Sequence, residues 1–351
     1  MELTRALVRF LGMFWAAGLL GFGHDARAAQ KLNVFIWSEY LDPAVVKEFE
    51  KRHDAEVTLD YYEEAESMIA KMQGGGAGVY DIVVPPDHAV TSLVQLGLLS
   101  PLRHERIPNL KHIDARFRRL PFDPRNEHTV PYQWGTLGIY YRKAAGRPAP
   151  DSWDVFFDKS KQRGPMVMID SMRDAIGAAL KYRGHSFNAT ELPALKQARE
   201  ALLDTKKRCL AFEGSVAGKN RVVDRTADLA VVFSGEAVRG MAEDEGTGYV
   251  IPKEGSEIFL DNLAVPARAP HRDLAEDFIN FVLEPRIGAR LVNHTRFGTP
   301  NAAAREFVNS RDLANPAIYP SPEVMAKLEY LVDLGSRTAW VDQVWTQVKA
   351  E

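Results

Sequence analysis

Apolar and polar side chains alternate with a period of two directly after position 30, as they do along a half-buried β-strand. Leu32, Val34 and Ile36 share one side of this segment. The next segment opens with Pro43 and places apolar residues such as Phe49 at helical spacing. The pattern predicts strands over residues 31–37, 56–62 and 80–84, and helices over residues 44–53, 64–72 and 89–96. This βαβαβ order predicts an open α/β sheet.

A change in composition at residues 146–152, which include two prolines, is followed by a second pattern of the same kind. We expect strands over residues 165–169, 227–234, 249–252 and 258–266, and helices over residues 172–183, 191–204, 236–243 and 274–283. Two further amphipathic helices are predicted over residues 322–334 and 338–349. The chain therefore contains two α/β units.

Aromatic residues recur beside acids or hydroxyls where the predicted strands end. In open α/β sheets, ligands bind beyond the carboxyl ends of the strands. For each position alone, core packing or helix capping is the more common explanation. Convergence on one cleft would make binding the better explanation. The positions are Trp37, Ser38, Tyr40, Asp87, His88, Asp170, Asp174, Phe233, Phe259 and Asp261.

Asp261 is an acid between two apolar strand-like runs, and burying it is costly unless a positive group meets it. Phe259 lies two positions earlier and would share its face in an extended chain. A ring and a carboxylate on one face suit a cationic, partly apolar ligand. On local grounds alone, a strand-end aspartate satisfied by backbone N–H groups is the commoner case.

The first 29 residues have the features of a cleaved signal peptide. Arg5 and Arg9 precede an apolar run over residues 10–22, and Ala28 completes a small-x-small cleavage pattern. The run is shorter than the roughly 20 residues of a membrane span, so cleavage is preferred over the alternative of an uncleaved anchor. Removing 29 of the 351 residues leaves 322, enough for two domains.

Net charge, cysteine content and the motifs that are absent exclude several classes of function. The formal net charge of −3 becomes about −4 once the signal segment is removed, which argues against nucleic acid as a partner. Cys209 is the only cysteine, so no internal disulfide is expected. The chain contains no phosphate loop, GxSxG, HExxH or CxxC motif, and its histidines lack metal-ligand spacing. We therefore expect neither an enzyme nor a cofactor or metal site.

Several motifs together resemble those of the periplasmic polyamine-binding proteins, the spermidine and putrescine receptors of bacterial ABC importers. They are FIWSEYLDP, YDIVVP, the PYxWGT run at 131–136, IPKEGSEIFLDNLAVP, and GTPN at 298–301. The resemblance implies a two-lobe periplasmic-binding-protein fold of type II with a hinge. Lobe 1 would comprise residues 30–138 and 262–306, and lobe 2 residues 139–261 and 307–351. The chain would cross the hinge near residues 136–139 and 260–262.

The same resemblance implies roles for individual residues. Asp174 and Asp261 match ammonium-binding carboxylates, and Asp87 and Asp170 would be accessory acids. The aromatic and hydroxyl positions of the family fall on Trp37, Ser38, Tyr40, Phe233, Phe259 and Phe297. The chain departs from the family pattern where phenylalanine replaces tryptophan at 233 and 259 and tyrosine at 297. Pro86, His88, Ser171 and Leu331 depart as well, and Asp87 or Glu329 would have to compensate for the apolar Leu331.

We therefore predict a periplasmic, monomeric receptor that captures a linear diamine or polyamine and delivers it to a membrane permease. One alternative is the same fold with a zwitterionic ligand such as γ-aminobutyrate, for which Arg173 or Arg296 would hold the carboxylate. A ferric-ion receptor using Tyr61–Tyr62 or Tyr140–Tyr141 and a hydrolase are less favoured alternatives.

Overall fold

A computed structural model describes residues 29–350 of the chain. The predicted signal peptide lies outside the described residues, except for Ala29. Within the described range, no helix combines the length and the apolar character needed to cross a membrane.

The described residues form an α/β structure, as predicted. The strands are β1 (Gln30–Trp37), β2 (Ala55–Tyr62), β3 (Ile82–Val83), β4 (Thr129–Arg142), β5 (Met166–Ile169), β6 (Ala211–Glu213), β7 (Leu229–Phe233), β8 (Thr247–Val250), β9 (Ser256–Ala264) and β10 (Leu328–Glu329). The helices are α1 (Pro43–His53), α2 (Ala65–Gln73), α3 (Asp87–Gln95), α4 (Asp154–Phe157), α5 (Met172–Tyr182), α6 (Leu192–Lys206), α7 (Ser215–Val223), α8 (Ser234–Glu243), α9 (Arg272–Val282), α10 (Pro285–Thr295), α11 (Ser310–Leu313), α12 (Pro322–Met325) and α13 (Thr338–Ala350). The strand order is β2-β1-β3-β9-β4-β7-β5-β6, with β10 paired to β9 and β8 paired to β4.

The N-terminal strands form a parallel sheet that is covered on both faces. β1 pairs in parallel with β2 along its whole length and with β3 at Val34 and Phe35. The alternation of β1 sends Leu32, Val34 and Ile36 into one buried cluster and Phe35 into another. Because both clusters exclude water, the carboxyl end of β1 is held firmly, and Trp37 lies at that end.

Strand β4 passes through both halves of the molecule without a break. Its first part pairs with β9 up to the Thr136–Ile258 pair, and its second part pairs with β7 from the Leu137–Phe233 pair onward. The hydrophobic clusters change at the same point, because Trp134 packs in the first core and Leu137 in the second. One extended strand therefore belongs to two cores, and the cleft lies beside the point where it changes partner.

The second core lies between the sheet and helices α5, α6 and α13. β5 pairs in parallel with β6 and β7, so their carboxyl ends point the same way. Trp153 and Phe156 are fully buried in this core. This packing fixes Ile169 and Phe233, the last residues of β5 and β7, at the edge of the cleft.

The helix predicted over residues 322–334 is wrong over most of its length. Helix α12 ends at Met325, and β10 then pairs Leu328 with Ser256 and Glu329 with Glu257. Glu329 also accepts hydrogen bonds from Lys181, Ser186 and the Phe187 backbone N–H. These tertiary contacts override the helical pattern, which is a weak local preference.

Candidate functional site

A cavity of about 110 Å³ lies where the carboxyl ends of β1, β5 and β7 meet the middle of β9. A water molecule needs about 10–15 Å³ by this measure, so the cavity has room for several waters or a slender ligand. Ten of the eleven sequence-predicted residues line it, and only Asp87 does not. Those lining it are Trp37, Ser38, Tyr40, His88, Asp170, Asp174, Phe233, Phe259, Asp261 and Phe297.

A continuous row of aromatic rings forms one wall of the cavity. The Phe233 and Phe259 ring centroids are 5.1 Å apart, those of Phe259 and Phe297 5.5 Å, and those of Phe297 and Tyr40 5.3 Å. Each pair is close to perpendicular, which is a favourable edge-to-face arrangement. The ring of Trp37 lies 4.3 Å from that of Tyr62. The wall therefore offers apolar surface together with electron-rich ring faces.

Glycines on β4 and α8 make room for this wall. A Cβ atom at Gly135 would lie 2.8 Å from carbon atoms of both Phe259 and Phe297, and one at Gly235 would lie 2.6 Å from Phe297. Such distances are shorter than van der Waals contact, so a larger residue would force the rings to move.

Asp261 occupies one end of the cavity and is held by a tyrosine. The residue is 4% exposed, and its Oδ2 accepts a hydrogen bond of 2.6 Å from the Tyr40 hydroxyl. Among residues 29–350, no backbone N–H donates to this carboxylate, so the commoner alternative for a strand-end aspartate does not apply. Burial raises the pKa of Asp261 to about 8; the Tyr40 hydrogen bond opposes this rise and the Asp87 carboxylate adds to it.

Asp174 and Glu257 form a second acidic end. Asp174 lies in the first turn of α5, where the helix dipole favours a negative charge. Asp174 is 5% exposed and Glu257 is 3% exposed. The Asp174 Oδ1 and Glu257 Oε2 atoms have no hydrogen-bond partner among the described residues. Burial and the neighbouring Asp174 carboxylate raise the pKa of Glu257 well above its usual value, while the Arg173 guanidinium lowers it.

Glu257 lines the cavity although it is not among the residues predicted from the sequence, and the alternation of side chains along β9 is sufficient to identify it. Glu257 lies two positions before Phe259 and four before Asp261 on β9, so all three share one face. Glu257 escaped notice because it directly follows Ser256, at the end of a polar turn. The cleft face of β9 is therefore acid, ring, acid.

Glu236 is another acid at the site that the sequence analysis did not select. It lies in the first turn of α8, three residues after Phe233, and it is buried. Its carboxylate accepts hydrogen bonds of 3.4 Å from Ser215 and from Arg239. Burial raises the pKa of Glu236, and Arg239 lowers it. Ser215 opens helix α7, which the sequence pattern did not predict.

Arg239, which bonds Glu236, also bonds two groups on the opposite side of the cleft. Its Nη2 atom also donates to Glu39 at 2.8 Å, and its Nη1 atom donates to the Thr295 carbonyl at 2.9 Å. Glu39 has a positive φ of 56°, a left-handed conformation that is uncommon for a residue other than glycine. One guanidinium therefore connects a buried acid of the cavity to two groups across it.

Asp87 does not line the cavity. It is 1% exposed and begins α3, so its side chain turns back into the fold and accepts a hydrogen bond from the His88 backbone N–H. Burial raises its pKa. Asp87 therefore acts on the cavity through its charge, and His88 rather than Asp87 faces the space.

Two other acids are already occupied by cations. Asp170, at the rim, accepts hydrogen bonds of 2.7 and 2.9 Å from Lys349. Glu329 pairs with Lys181 and does not line the cavity, so it does not compensate for the apolar Leu331, which does. The part of the wall near Leu331 therefore lacks a free polar group from either residue.

Four of the six residues named for the alternative ligands have other partners. Arg173 lines the cavity but donates to the Val332 carbonyl at 3.1 Å and to Asn188 at 2.9 Å. Arg296 pairs with Asp312. The Tyr140 hydroxyl donates to Thr247, and that of Tyr62 to the Val84 carbonyl. Within residues 29–350, no three side chains of the metal-binding types form a cluster that could hold an ion.

Comparison with known proteins connects this site to a family. Residues 44–320 match the model of the bacterial extracellular solute-binding proteins. The chain is 32% identical to the putrescine/cadaverine-binding protein of Pseudomonas aeruginosa, with 95% of this chain and 97% of the relative covered. It is 29% identical to the spermidine/putrescine-binding periplasmic protein of Salmonella typhimurium, with the same coverage.

A solved structure gives the same result for the fold. The substrate-binding protein PotD of a spermidine/putrescine ABC transporter from Streptococcus pneumoniae superposes with a TM-score of 0.77. The two chains are 28% identical, and the match covers 92% of this chain and 99% of the other. The resemblance and the two-lobe fold predicted from the sequence motifs are confirmed. The chain belongs to the family of bacterial extracellular solute-binding proteins, which are receptors and not enzymes.

Proposed function

We propose that this protein is the periplasmic receptor that captures a linear diamine or polyamine and delivers it to the permease of an ABC importer. The observation that carries the proposal is a cavity with buried acids at both ends and an aromatic wall between them. The names of the relatives, which bind putrescine, cadaverine or spermidine, support the same ligand class.

Each part of the ligand has a matching surface in the cavity. The ammonium groups would pair with Asp261 and Glu236 at one end and with Asp174 at the other. The methylene chain would lie along Phe233, Phe259 and the other rings, where cation–π attraction adds to apolar contact. Since these acids are buried, a cation is needed to offset the cost of their ionised forms.

Ligand charge would also control closure. We propose that lobe 1 comprises residues 30–138 and 262–306 and lobe 2 residues 139–261 and 307–351, with bending where β4 changes partner. Closing brings acids from both lobes together, which is unfavourable while they are ionised and unneutralised. A cationic ligand therefore favours the closed form by binding it more tightly than the open form. The receptor would act as a monomer, because each chain contains a whole cleft.

The zwitterionic alternative has less support from the site. Its carboxylate would meet Asp174 and Glu257 at one end or Asp261 and Glu236 at the other. Arg173 already donates to Val332 and Asn188, so it is not free to hold a second carboxylate without losing those bonds. No observation at the site favours γ-aminobutyrate.

Ligand screening tests the proposal directly. Native mass spectrometry of protein purified from the periplasm is expected to show a retained small amine. In a thermal-shift screen, putrescine, cadaverine or spermidine should raise the melting temperature, and γ-aminobutyrate should not. A stabilising effect of amino acids, with none from the amines, would overturn the proposal.

A further inference from the structure

We propose that Glu257 holds the second ammonium group of the ligand together with Asp174, and thereby makes the receptor selective for two-ended cations. This inference rests on the proposed function and adds to it a residue that selects α,ω-diamines over ligands with one charged end. The claim concerns selectivity, so it can fail while amine binding itself is retained.

The placement of Glu257 on β9 is the first argument. Glu257, Phe259 and Asp261 are alternate residues of one strand, and all three line the cavity. At about 3.3 Å per residue, the Cα atoms of Glu257 and Asp261 are about 13 Å apart, with the ring between them. A linear ligand lying along this strand meets a carboxyl group near each end and apolar surface in the middle.

The unmet bonding capacity of this end is the second argument. Among the described residues, no donor other than a proton on one of these two carboxyl groups reaches Glu257 Oε2 or Asp174 Oδ1, and both side chains are at least nine-tenths buried. The two carboxyl groups can hydrogen-bond each other only while one of them holds a proton. Buried polar atoms in native proteins nearly always have a hydrogen-bond partner. An ammonium group carries three donors, so it can satisfy both carboxyl groups at once.

The charges around Glu257 give the third argument. Asp174 and Arg173 on α5 and Asp87 on α3 are near enough to act on its charge, and His88 of α3 lines the same cavity. Tyr249 on β8 is also near enough for Glu257 to raise its pKa. The neighbouring Glu329 carboxylate is paired with Lys181 and adds no free charge. Three carboxyl groups therefore face one guanidinium, and a ligand ammonium would reduce this excess of acidic groups, whereas a hydroxyl or a carboxylate would not.

A pair of ligands that differ only at one end isolates this contact. Isothermal titration calorimetry would compare cadaverine with 5-amino-1-pentanol on the wild type and on Glu257→Gln. A hydrogen bond to a charged group contributes about 1.5–3 kcal/mol, so the variant should bind cadaverine at least about tenfold more weakly. Its affinity for the amino alcohol should stay within about threefold of wild type, because the hydroxyl end never paired with a charge.

Matched variants keep the result interpretable. Glu323→Gln removes the same charge from an exposed residue outside the cavity and should leave both affinities unchanged. The ligand-free Glu257→Gln protein should melt at a higher temperature than wild type near neutral pH, because the wild-type carboxyl must either be buried with its charge or take up a proton on folding, and the amide does neither. If that variant does not fold, Glu257→Asp keeps the charge with a shorter reach and should lose cadaverine affinity selectively.

The outcomes separate the two proposals. An unchanged ratio of cadaverine to amino-alcohol affinity in the Glu257 variant would overturn the role of Glu257 and leave amine binding intact. An equal loss of affinity for both ligands would show a general structural effect and would also overturn the proposed role of Glu257. A wild-type protein that binds neither amine would overturn the proposed function itself.

Discussion

At one end of the cavity Asp261 accepts a hydrogen bond from Tyr40, whereas at the other end Asp174 and Glu257 retain oxygen atoms without a partner in the described chain. The first end is therefore oriented before a ligand arrives, and the second is completed by the ligand. Prior orientation reduces the entropy lost on binding. Oxygen atoms without a partner add binding free energy only for a ligand long enough to donate hydrogen bonds to them. The difference suggests that one end supplies affinity and the other supplies selectivity.

Replacing the oriented acid should have the largest effect. Asp261→Asn keeps the shape of the side chain but leaves the ligand ammonium buried without its counter-charge. We expect cadaverine affinity to fall by about 2–5 kcal/mol, measured by titration calorimetry. The exposed Glu323→Gln variant is the control for net charge. Unchanged affinity in Asp261→Asn would mean that this acid does not contact the ligand.

The pH dependence of binding should reveal the same group. Because the pKa of Asp261 is about 8, its buried carboxyl holds a proton below that pH and must release it before it pairs with an ammonium. The expected affinity for cadaverine rises by up to about tenfold per pH unit below 8 and levels off above it. Calorimetry at pH 6, 7, 8 and 9 measures this. Asp261→Asn should flatten the profile, and an equally steep profile in that variant would assign the proton to another group.

Removing the Tyr40 hydroxyl tests whether orientation itself contributes. Tyr40→Phe keeps the ring that contacts Phe297 and deletes only the donor to Asp261. We expect a loss of about 1.5 kcal/mol in cadaverine affinity, the lower end for a hydrogen bond to a charged group. The loss should be equal for 5-amino-1-pentanol, since Asp261 serves the end that both ligands share. A loss of affinity confined to cadaverine would contradict this prediction, because it would mean that Tyr40 and Asp261 serve the end at which the two ligands differ.

The smallest effect is expected outside the cavity. Glu39→Gln removes the ion pair with Arg239, which also bonds Glu236. The Glu39 side chain is half exposed, so the pair is screened by water and should contribute about 0.2–1 kcal/mol. Amine affinity should fall by that amount at low salt and recover toward the wild-type value at high salt. A loss independent of salt would indicate a role other than charge pairing.

Local alternation predicted the parts of the site that lie on one strand. Phe259 and Asp261 were placed on a common face by their spacing alone, and the structure has them lining one cavity. The same rule covers Glu257, which was missed only because it borders a turn. Side-chain direction at a helix start is not predictable in this way, and Asp87, at the start of α3, is buried outside the lining of the cavity.

Contacts between distant segments could not be predicted from pattern. Arg239 and Glu39 are 200 positions apart, and no local signal couples them. Residues 328–329 pair with β9 although their sequence has a helical pattern, because the pairing and the contacts of Glu329 with Lys181 and Ser186 outweigh a weak local preference. Local periodicity is therefore informative for elements and faces, whereas long-range pairing depends on the assembled fold.

The position of Trp37 gives the protein its own optical reporter. It is the one indole among the described residues that line the cavity, and its ring contacts that of Tyr62 at an interplanar angle of 49°. Trp134 and Trp153 are buried in the two cores, where a bound ligand would not change their surroundings. Intrinsic emission should therefore shift on loading without any attached dye, which allows capture and release to be followed in real time by stopped-flow mixing.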